Sequence, residues 1–563
     1  MGSFSLKRFH LMVFRLLVVF SVATVLSSVL VYGFEISLPA AQHIHYIQFL
    51  TVVLYLIWML LRLKDDRWRI RRHLVDSVLA IVVLFTLVPL PASSGLVSIR
   101  IVFTLLAKYL RIFGSSFLIG TFKLNPARIL LISFLAVILV GTILLMLPAA
   151  TIDHRGASPV DALFTATSAT CVTGLIVRDT GSYFSPFGQL VILVLIQIGG
   201  LGIMTFSTLF AIILGRRIGL KEEENLRNIL DQSSRVDMSR LILRIVRITL
   251  FFELIGGLVL FIRFIPAHGV REGGYLAIFH AISAFCNAGF SLWADSLTAY
   301  VGDFTVNMVM MILIVAGGLG FIVMNDLVQN CRCGNPLSIR WRNLTVHSKL
   351  VLVTTVVLLG AGMLTVFYFE FDNAMLHLST GDKMLAALFQ SVTFRTAGFN
   401  TIDFADCRLV TLFIAMVLMF IGASPSSTGG GIKTTTFAVL VLSIKSLFQA
   451  RDKVEIYHRT IPAQTVLRSI AILLFSLSFL VVFCAMLLAT QTGRFIDIIF
   501  EATSAMGTVG LSTGMTGELN TVGKLLVTLL MYAGRIGPLT VALAVSEVRK
   551  VNVAYPETKI GVG

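Results

Sequence analysis

Four stretches of this chain run from a serine through small or hydroxyl residues into a glycine, followed by an apolar residue. They begin at Ser168, Ser283, Ser391 and Ser504. Their last steps are Cys171, Val172, Thr173, Gly174; Cys286, Asn287, Ala288, Gly289; Arg395, Thr396, Ala397, Gly398; and Gly507, Thr508, Val509, Gly510. The chemistry such segments offer is that of the backbone. A ring of peptide carbonyls replaces the hydration shell of a cation, as in membrane pores that hold dehydrated ions. One segment of this kind reads as a small-residue contact for tight helix packing. Four, at intervals of about a hundred residues, read as a repeat.

Non-helical backbone is excluded from lipid and tolerated where it lines a watery cavity, so the four loops are expected to face one another. Gly174, Gly289, Gly398 and Gly510 let the backbone turn and approach closely. Short helices over about 161–170 and 495–505 would aim their negative C-terminal ends at the cavity and favour a cation there.

These loops need a membrane around them. The chain has 563 residues, 56% hydrophobic and 13% charged, with a mean hydropathy of +0.91. A soluble domain carries roughly a quarter charged residues, so this is an integral membrane protein. Its formal charge of +16 falls in alternate loops, which sets topology rather than marking a nucleic-acid partner. The expected fold is all-α. Four spans at 11–33, 44–63, 74–90 and 96–113 form an N-terminal part, 1–127. Four span–pore loop–span repeats follow at 128–240, 241–349, 350–466 and 467–563. Their first spans are placed at 129–147, 241–264, 350–369 and 467–489. The second spans are placed at 187–215, 304–328, 409–447 with a break, and 521–545. Basic loops at 216–240, 330–349 and 445–468 separate the repeats, so the pore loops enter from outside and both termini are cytoplasmic. The six cysteines are scattered; Cys331 and Cys333 lie in a basic loop without further metal ligands nearby.

Several residues sit where lipid would penalise them. The run 422–436, containing Gly429, Gly430, Gly431 and Lys433, cannot continue a straight helix. Lys433 either places charge near the ion path or snorkels to the inner interface. Arg535 lies mid-span between Gly534 and Gly537, where it needs carbonyl or carboxylate partners. Glu253 lies central in the second repeat's first span. It is expected to brace the filter by accepting pore-loop amides, with a pair to Arg395 as the alternative. Asn287 and Arg395 are expected to hold loop geometry, and His280 is read as a packed, hydrogen-bonded residue.

The segments 164–175, 279–290, 391–401 and 531–538 resemble the KtrB/TrkH superfamily of potassium-translocating subunits, and the first loop is worded more like KtrB. The match spans roughly 128–550. The resemblance implies a fourfold pseudosymmetric pore, a homodimer in the bacterial inner membrane, and a cytosolic nucleotide-binding ring of the KtrA/TrkA kind. It makes 422–436 a gating loop beneath the filter, with Arg535 against it. Glycine at all four filter positions is the family's potassium pattern; a first-loop serine accompanies sodium permeation in plant relatives. Potassium is therefore the expected substrate, bound at filter carbonyls, with no covalent cofactor. A sodium-permeable or sodium-coupled transporter is the alternative. An enzyme using Glu253, His280 and Cys286 is the alternative of another class, and no nucleophile or nucleotide motif supports it. Residues 1–127 lie outside the resemblance. Arg100, Lys108 and Arg111 are too sparse for a voltage sensor, so this part is read as dimer contact or pore support.

Overall fold

A computed structural model describes residues 12–13, 15–24, 27, 41–65, 126–202, 238–332, 341–537 and 540–541. The expectations for the spans at 74–90 and 96–113, Arg100, Lys108, Arg111, the loop 216–240, Cys333 and the far end of the last span fall outside these residues. In the N-terminal part, helix α1 (Ala41–Asp65) occupies the second expected span.

The remaining described residues are almost entirely helical. The first loop is framed by α2 (Pro126–Leu145), α3 (Pro159–Thr170) and α4 (Pro186–Leu201). The second follows α5 (Met238–Phe285) and precedes α6 (Phe304–Leu319) and α7 (Phe321–Arg332). The third lies among α8 (Val346–Glu370), α9 (Thr380–Thr393), α10 (Leu409–Phe420) and α11 (Thr434–Phe448). The fourth lies among α12 (Ala463–Thr490), α13 (Phe495–Gly507) and α14 (Thr521–Ile536). A short antiparallel hairpin, β1 (Glu455–Ile456) with β2 (Arg459–Thr460), joins α11 to α12.

The starts of these helices are written in the sequence. Ser158 caps α3, accepting from Asp161 N at 3.2 Å, with Pro159 at the first helical position. Ser379 caps α9 in the same way, and Asn520 caps α14. A capping hydroxyl satisfies an amide the helix itself leaves unpaired.

One expectation is sharpened and one needs correction. The second repeat's first span and pore helix remain two helices, joined within α5 by a kink at Gly269, with φ +73°, just past Pro266. The ring of Pro266 removes a helical hydrogen bond and starts the bend. The third repeat is also not alone in having a broken second span. In the second repeat, α6 and α7 meet at 103° across Gly320, whose φ is +88°. Gly202 and Gly537 end α4 and α14 with φ of +80° and +92°. The sequence reads the paired runs 199–202 and 317–320 as sites of close helix approach, with bending secondary. Both roles are present, since a Cβ on Gly200 would stand 2.5 Å from Cys286 Sγ and one on Gly317 would meet Phe285 O, while Gly202 and Gly320 supply the turns.

Candidate ion filter and gate

The four pore helices share a pattern that spacing alone obscured. Each carries a fully buried phenylalanine, Phe164, Phe279, Phe389 or Phe500, followed four positions later by Ser168, Ser283, Thr393 or Ser504. The carbonyl of that hydroxyl residue accepts from the amide just before the filter glycine. The donors are Thr173 at 2.8 Å, Ala288 at 2.8 Å, Ala397 at 3.1 Å and Val509 at 2.8 Å. Loop 3 is one residue shorter than the others. Thr393, not Ser391, is thus the third loop's counterpart, and Ser391 instead donates to Leu359 O at 2.6 Å on α8.

The backbone repeats as closely. Val172, Asn287, Thr396 and Thr508 have φ of +58°, +58°, +64° and +51°, and the glycine two residues on is also left-handed in every loop. Side chains adopt this region at a cost of roughly 1–2 kcal/mol each, so four such residues mark backbone that its surroundings hold in place.

The four glycines close a ring. A Cβ on Gly174 would stand 2.5 Å from Ala288 O and 3.0 Å from Gly289 Cα. One on Gly289 would stand 2.8 Å from Gly398 Cα, and one on Gly398 would stand 2.7 Å from Val509 O. One on Gly510 would meet Thr173 O and stand 2.9 Å from Gly174 Cα. Each glycine therefore faces the next loop in chain order, and the fourth returns to the first. No side chain fits between them, and the carbonyl oxygens of Ala288, Ala397, Val509 and Thr173 each lie against the glycine of the loop before them in the ring. At the start of the first pore helix the ring closes in the same sense, with Lys524 on α14 bonded to Asp161 on α3 at 2.6 Å.

Beneath this ring lies the broken segment between α10 and α11. Ala423 N donates to Gly430 O, and Ile432 N to Phe420 O, both at 3.3 Å, which folds the segment back on itself. It is stitched to the bend of the second repeat: Ser424 N donates to Gly318 O at 3.1 Å, and Phe321 N to Ser426 O at 2.9 Å. A Cβ on Gly429 would stand 3.2 Å from Thr396 Cβ, and one on Gly430 3.0 Å from Thr508 Cγ2. The segment thus packs directly on the inner ends of loops 3 and 4. Asn287 reaches the Thr428 hydroxyl at 3.2 Å, which adds loop 2.

Arg535 supplies a further tie. Its guanidinium donates to Thr428 O in the segment and to Gly199 O on α4. Lys433 donates to Gly429 O at 2.8 Å, so its ammonium is spent inside the segment rather than at an interface. The carbonyl partners expected for Arg535 are present, but which carbonyls Arg535 and Lys433 take was not readable, because backbone carbonyls leave no mark in composition.

Glu253 departs from its expectation. Its carboxylate faces Gln197 on α4, and its Oε1 has no hydrogen-bond partner among the described residues. Neither a pore-loop amide nor Arg395 reaches it. Gln197 Oε1 also faces the Cys286 thiol at 3.5 Å, so the contact with loop 2 is indirect. Arg395 lines a small cavity together with Gly318, Leu319 and Thr355. It makes no hydrogen bond to its own loop among the described residues, so it does not hold loop geometry as expected. Asn287 does, through Thr428. His280 is packed and hydrogen-bonded, as expected, between Leu276 O at 2.8 Å and Ser291 Oγ at 3.1 Å.

With this geometry established, the comparisons with known proteins decide the family. The sequence matches the TrkH family, described as cation transport protein, over residues 121–552. The chain belongs to the TrkH family. It is similar to the Ktr system potassium uptake protein B of Bacillus subtilis, 42% identical over 443 residues covering 78% of this chain and 97% of that protein. It is 40% identical to the protein of the same description from Vibrio alginolyticus, covering 78% and 96%. It is 37% identical to the potassium/sodium uptake protein NtpJ of Enterococcus hirae, covering 78% and 98%. The crystal structure of the potassium transporter TrkH from Vibrio parahaemolyticus matches with a TM-score of 0.61 at 17% identity, covering 84% of this chain and 96% of that one. That likeness supports the helical transporter fold. As a TrkH-family member the chain is an integral membrane transporter and not an enzyme.

Proposed function

We propose that this chain is the ion-conducting subunit of a potassium uptake system. The observation that carries the reading is the closed ring of Gly174, Gly289, Gly398 and Gly510, in which the carbonyl oxygen before each glycine lies against the glycine of a neighbouring loop. Potassium sheds its water there and is held by backbone oxygens of residues 171–174, 286–289, 395–398 and 507–510. The C-terminal ends of α3, α5, α9 and α13 lead into these loops, and their partial negative charge favours a cation. The segment 422–436 is the gate. Its glycines close on the filter's inner side, and Arg535 clips it to α4 through Thr428 and Gly199. A cation leaving the filter meets that charge until the segment moves aside.

In this reading the loops open to the outside, both termini are cytoplasmic, and the membrane is the bacterial inner membrane. Two copies form a dimer. A cytosolic nucleotide-binding ring of the KtrA/TrkA kind controls the gate, docking on the basic loops 216–240 and 330–349. The names of the Ktr-system relatives support both the ion and a partner component. Sodium permeation or coupling is the second reading, favoured by the relative named for potassium and sodium uptake. Rubidium uptake into liposomes holding the purified protein tests the proposal. External potassium should compete at least tenfold better than sodium. Equal competition would overturn the potassium reading.

A further inference from the structure

The residue after each buried pore-helix phenylalanine is Thr165, His280, Gln390 or Glu501, four different chemistries at one structural position. Three of them do the same thing. His280 Nδ1 faces Leu276 O, which only accepts, so this nitrogen carries the proton. Nε2 then accepts from the Ser291 hydroxyl at 3.1 Å, while Ser291 Oγ accepts from Trp293 N at 3.0 Å. Glu501 accepts from Ser512 Oγ at 2.8 Å and from Thr516 Oγ1 at 2.5 Å. Gln390 meets Thr401 Oγ1 at 3.0 Å, and with its amide oxygen toward the loop it accepts from Thr401 N at 2.9 Å and Ile402 N at 3.2 Å. Each bond ties a pore helix to the chain just beyond its filter glycine. Ser291 and Ser512 lie two residues past Gly289 and Gly510. Thr401 lies three past Gly398, in the loop that is one residue shorter.

At this position loop 1 lacks the tie, and its outer stretch is held instead by Arg178, half exposed, whose Nε donates to Asp161 Oδ2 at 3.3 Å near the start of the pore helix. Thr165 is buried, and its hydroxyl has no partner among the described residues. The residue two past Gly174 is Ile176, which cannot bond to it.

We propose that His280, Gln390 and Glu501 are specificity-determining positioning residues. They pin the outer lips of loops 2, 3 and 4 to their own helices through buried bonds, while loop 1 is held only farther out, by the half-exposed Arg178–Asp161 pair, a weaker restraint that makes it the most compliant quarter of the filter. The inference rests on the proposed ion filter. A carbonyl ring discriminates between ions of different size only if the loops resist closing on the smaller one, so pins on three sides supply that resistance. Buried polar groups of this kind restrain geometry because the alternative leaves them unpaired.

The test uses the full-length protein in liposomes and reads the ratio of potassium to sodium competition against rubidium uptake, not its rate. A residue needed only for folding lowers the amount of active protein without moving that ratio. Glu501→Leu should lower the ratio about tenfold, and Glu501→Gln, which keeps an acceptor, should restore much of it. Ser291→Ala removes the loop-2 pin by deleting one oxygen and should lower the ratio severalfold, so the test survives if Glu501→Leu does not fold. Pairing Thr165→Gln with Ile176→Ser offers loop 1 a pin and should raise the ratio. Unchanged ratios in Ser291→Ala and the Glu501 variants, alongside a wild type that prefers potassium, would overturn the inference while leaving the filter reading intact. A wild type without preference would overturn the filter reading itself.

Discussion

Replacing Gly174 with serine perturbs the ring at a point where its cost can be worked from the geometry. A Cβ there stands 2.5 Å from Ala288 O and 3.0 Å from Gly289 Cα, both backbone atoms that cannot rotate away. Real Cβ atoms essentially never approach closer than 3.0 Å, so loops 1 and 2 must part by about 0.5 Å to restore tolerable contact. The φ of +95° at this position adds roughly 1–2 kcal/mol for any residue with a side chain. If that energy is drawn from the geometry that suits potassium, preference falls about tenfold, since 1.4 kcal/mol is a factor of ten. The assay is growth of an uptake-deficient cell at limiting potassium, with rubidium uptake competed by potassium or sodium. Gly360→Ser serves as control, because a Cβ on that exposed glycine meets nothing within 4 Å. Gly174→Ser should need more potassium for growth and lose discrimination, while the control should behave as wild type. A Gly174→Ser protein present in normal amount with undiminished preference would refute the ring as the filter.

Three further outcomes follow from the contacts beneath and around the ring. Arg535→Gln frees the Thr428 and Gly199 carbonyls, so ion flux should rise severalfold with little change in preference; a fall in flux would contradict the clip. Gly430→Ala puts a methyl against Thr508 and should lift the gating segment from the filter, again raising flux in the liposome assay. Asp161→Asn leaves Lys524, only 17% exposed, without its carboxylate. Because Lys524 keeps some water, the cost should sit at or below the roughly 3 kcal/mol of a broken buried pair, seen as a lowered melting temperature in detergent.

The sequence showed the loops, the gating break and the mid-membrane cations, because glycine, proline and isolated charge are conspicuous in apolar helices. It did not show what those charges grip. Arg535 and Lys433 bond to carbonyls, which every residue possesses, so only coordinates could pick out Thr428, Gly199 and Gly429. Ser391 was misaligned for a related reason: a serine in the right neighbourhood outweighed the phenylalanine spacing, which would have revealed loop 3 as one residue short. Glu253 was assigned to the pore loops because lipid-depth carboxylates suggest function, whereas its partner is a glutamine on the neighbouring helix. The Gly-Gly-Leu-Gly run at 317–320 was legible as close approach with bending second, and the structure uses it for both, but its 103° bend was beyond sequence because close approach and bending call for the same residue.

The bond between Lys524 and Asp161 joins positions 363 residues apart, and Gly510 closes on Gly174 across nearly the same interval. A ribosome adding about 5–20 residues per second needs roughly 20–70 s to cover it. For that time the first loop sits in the membrane with one of its two neighbours not yet made. The newborn chain therefore cannot close its glycine ring until its last quarter is made, and a chain cut short before Gly510 leaves loop 1 facing a gap on one side.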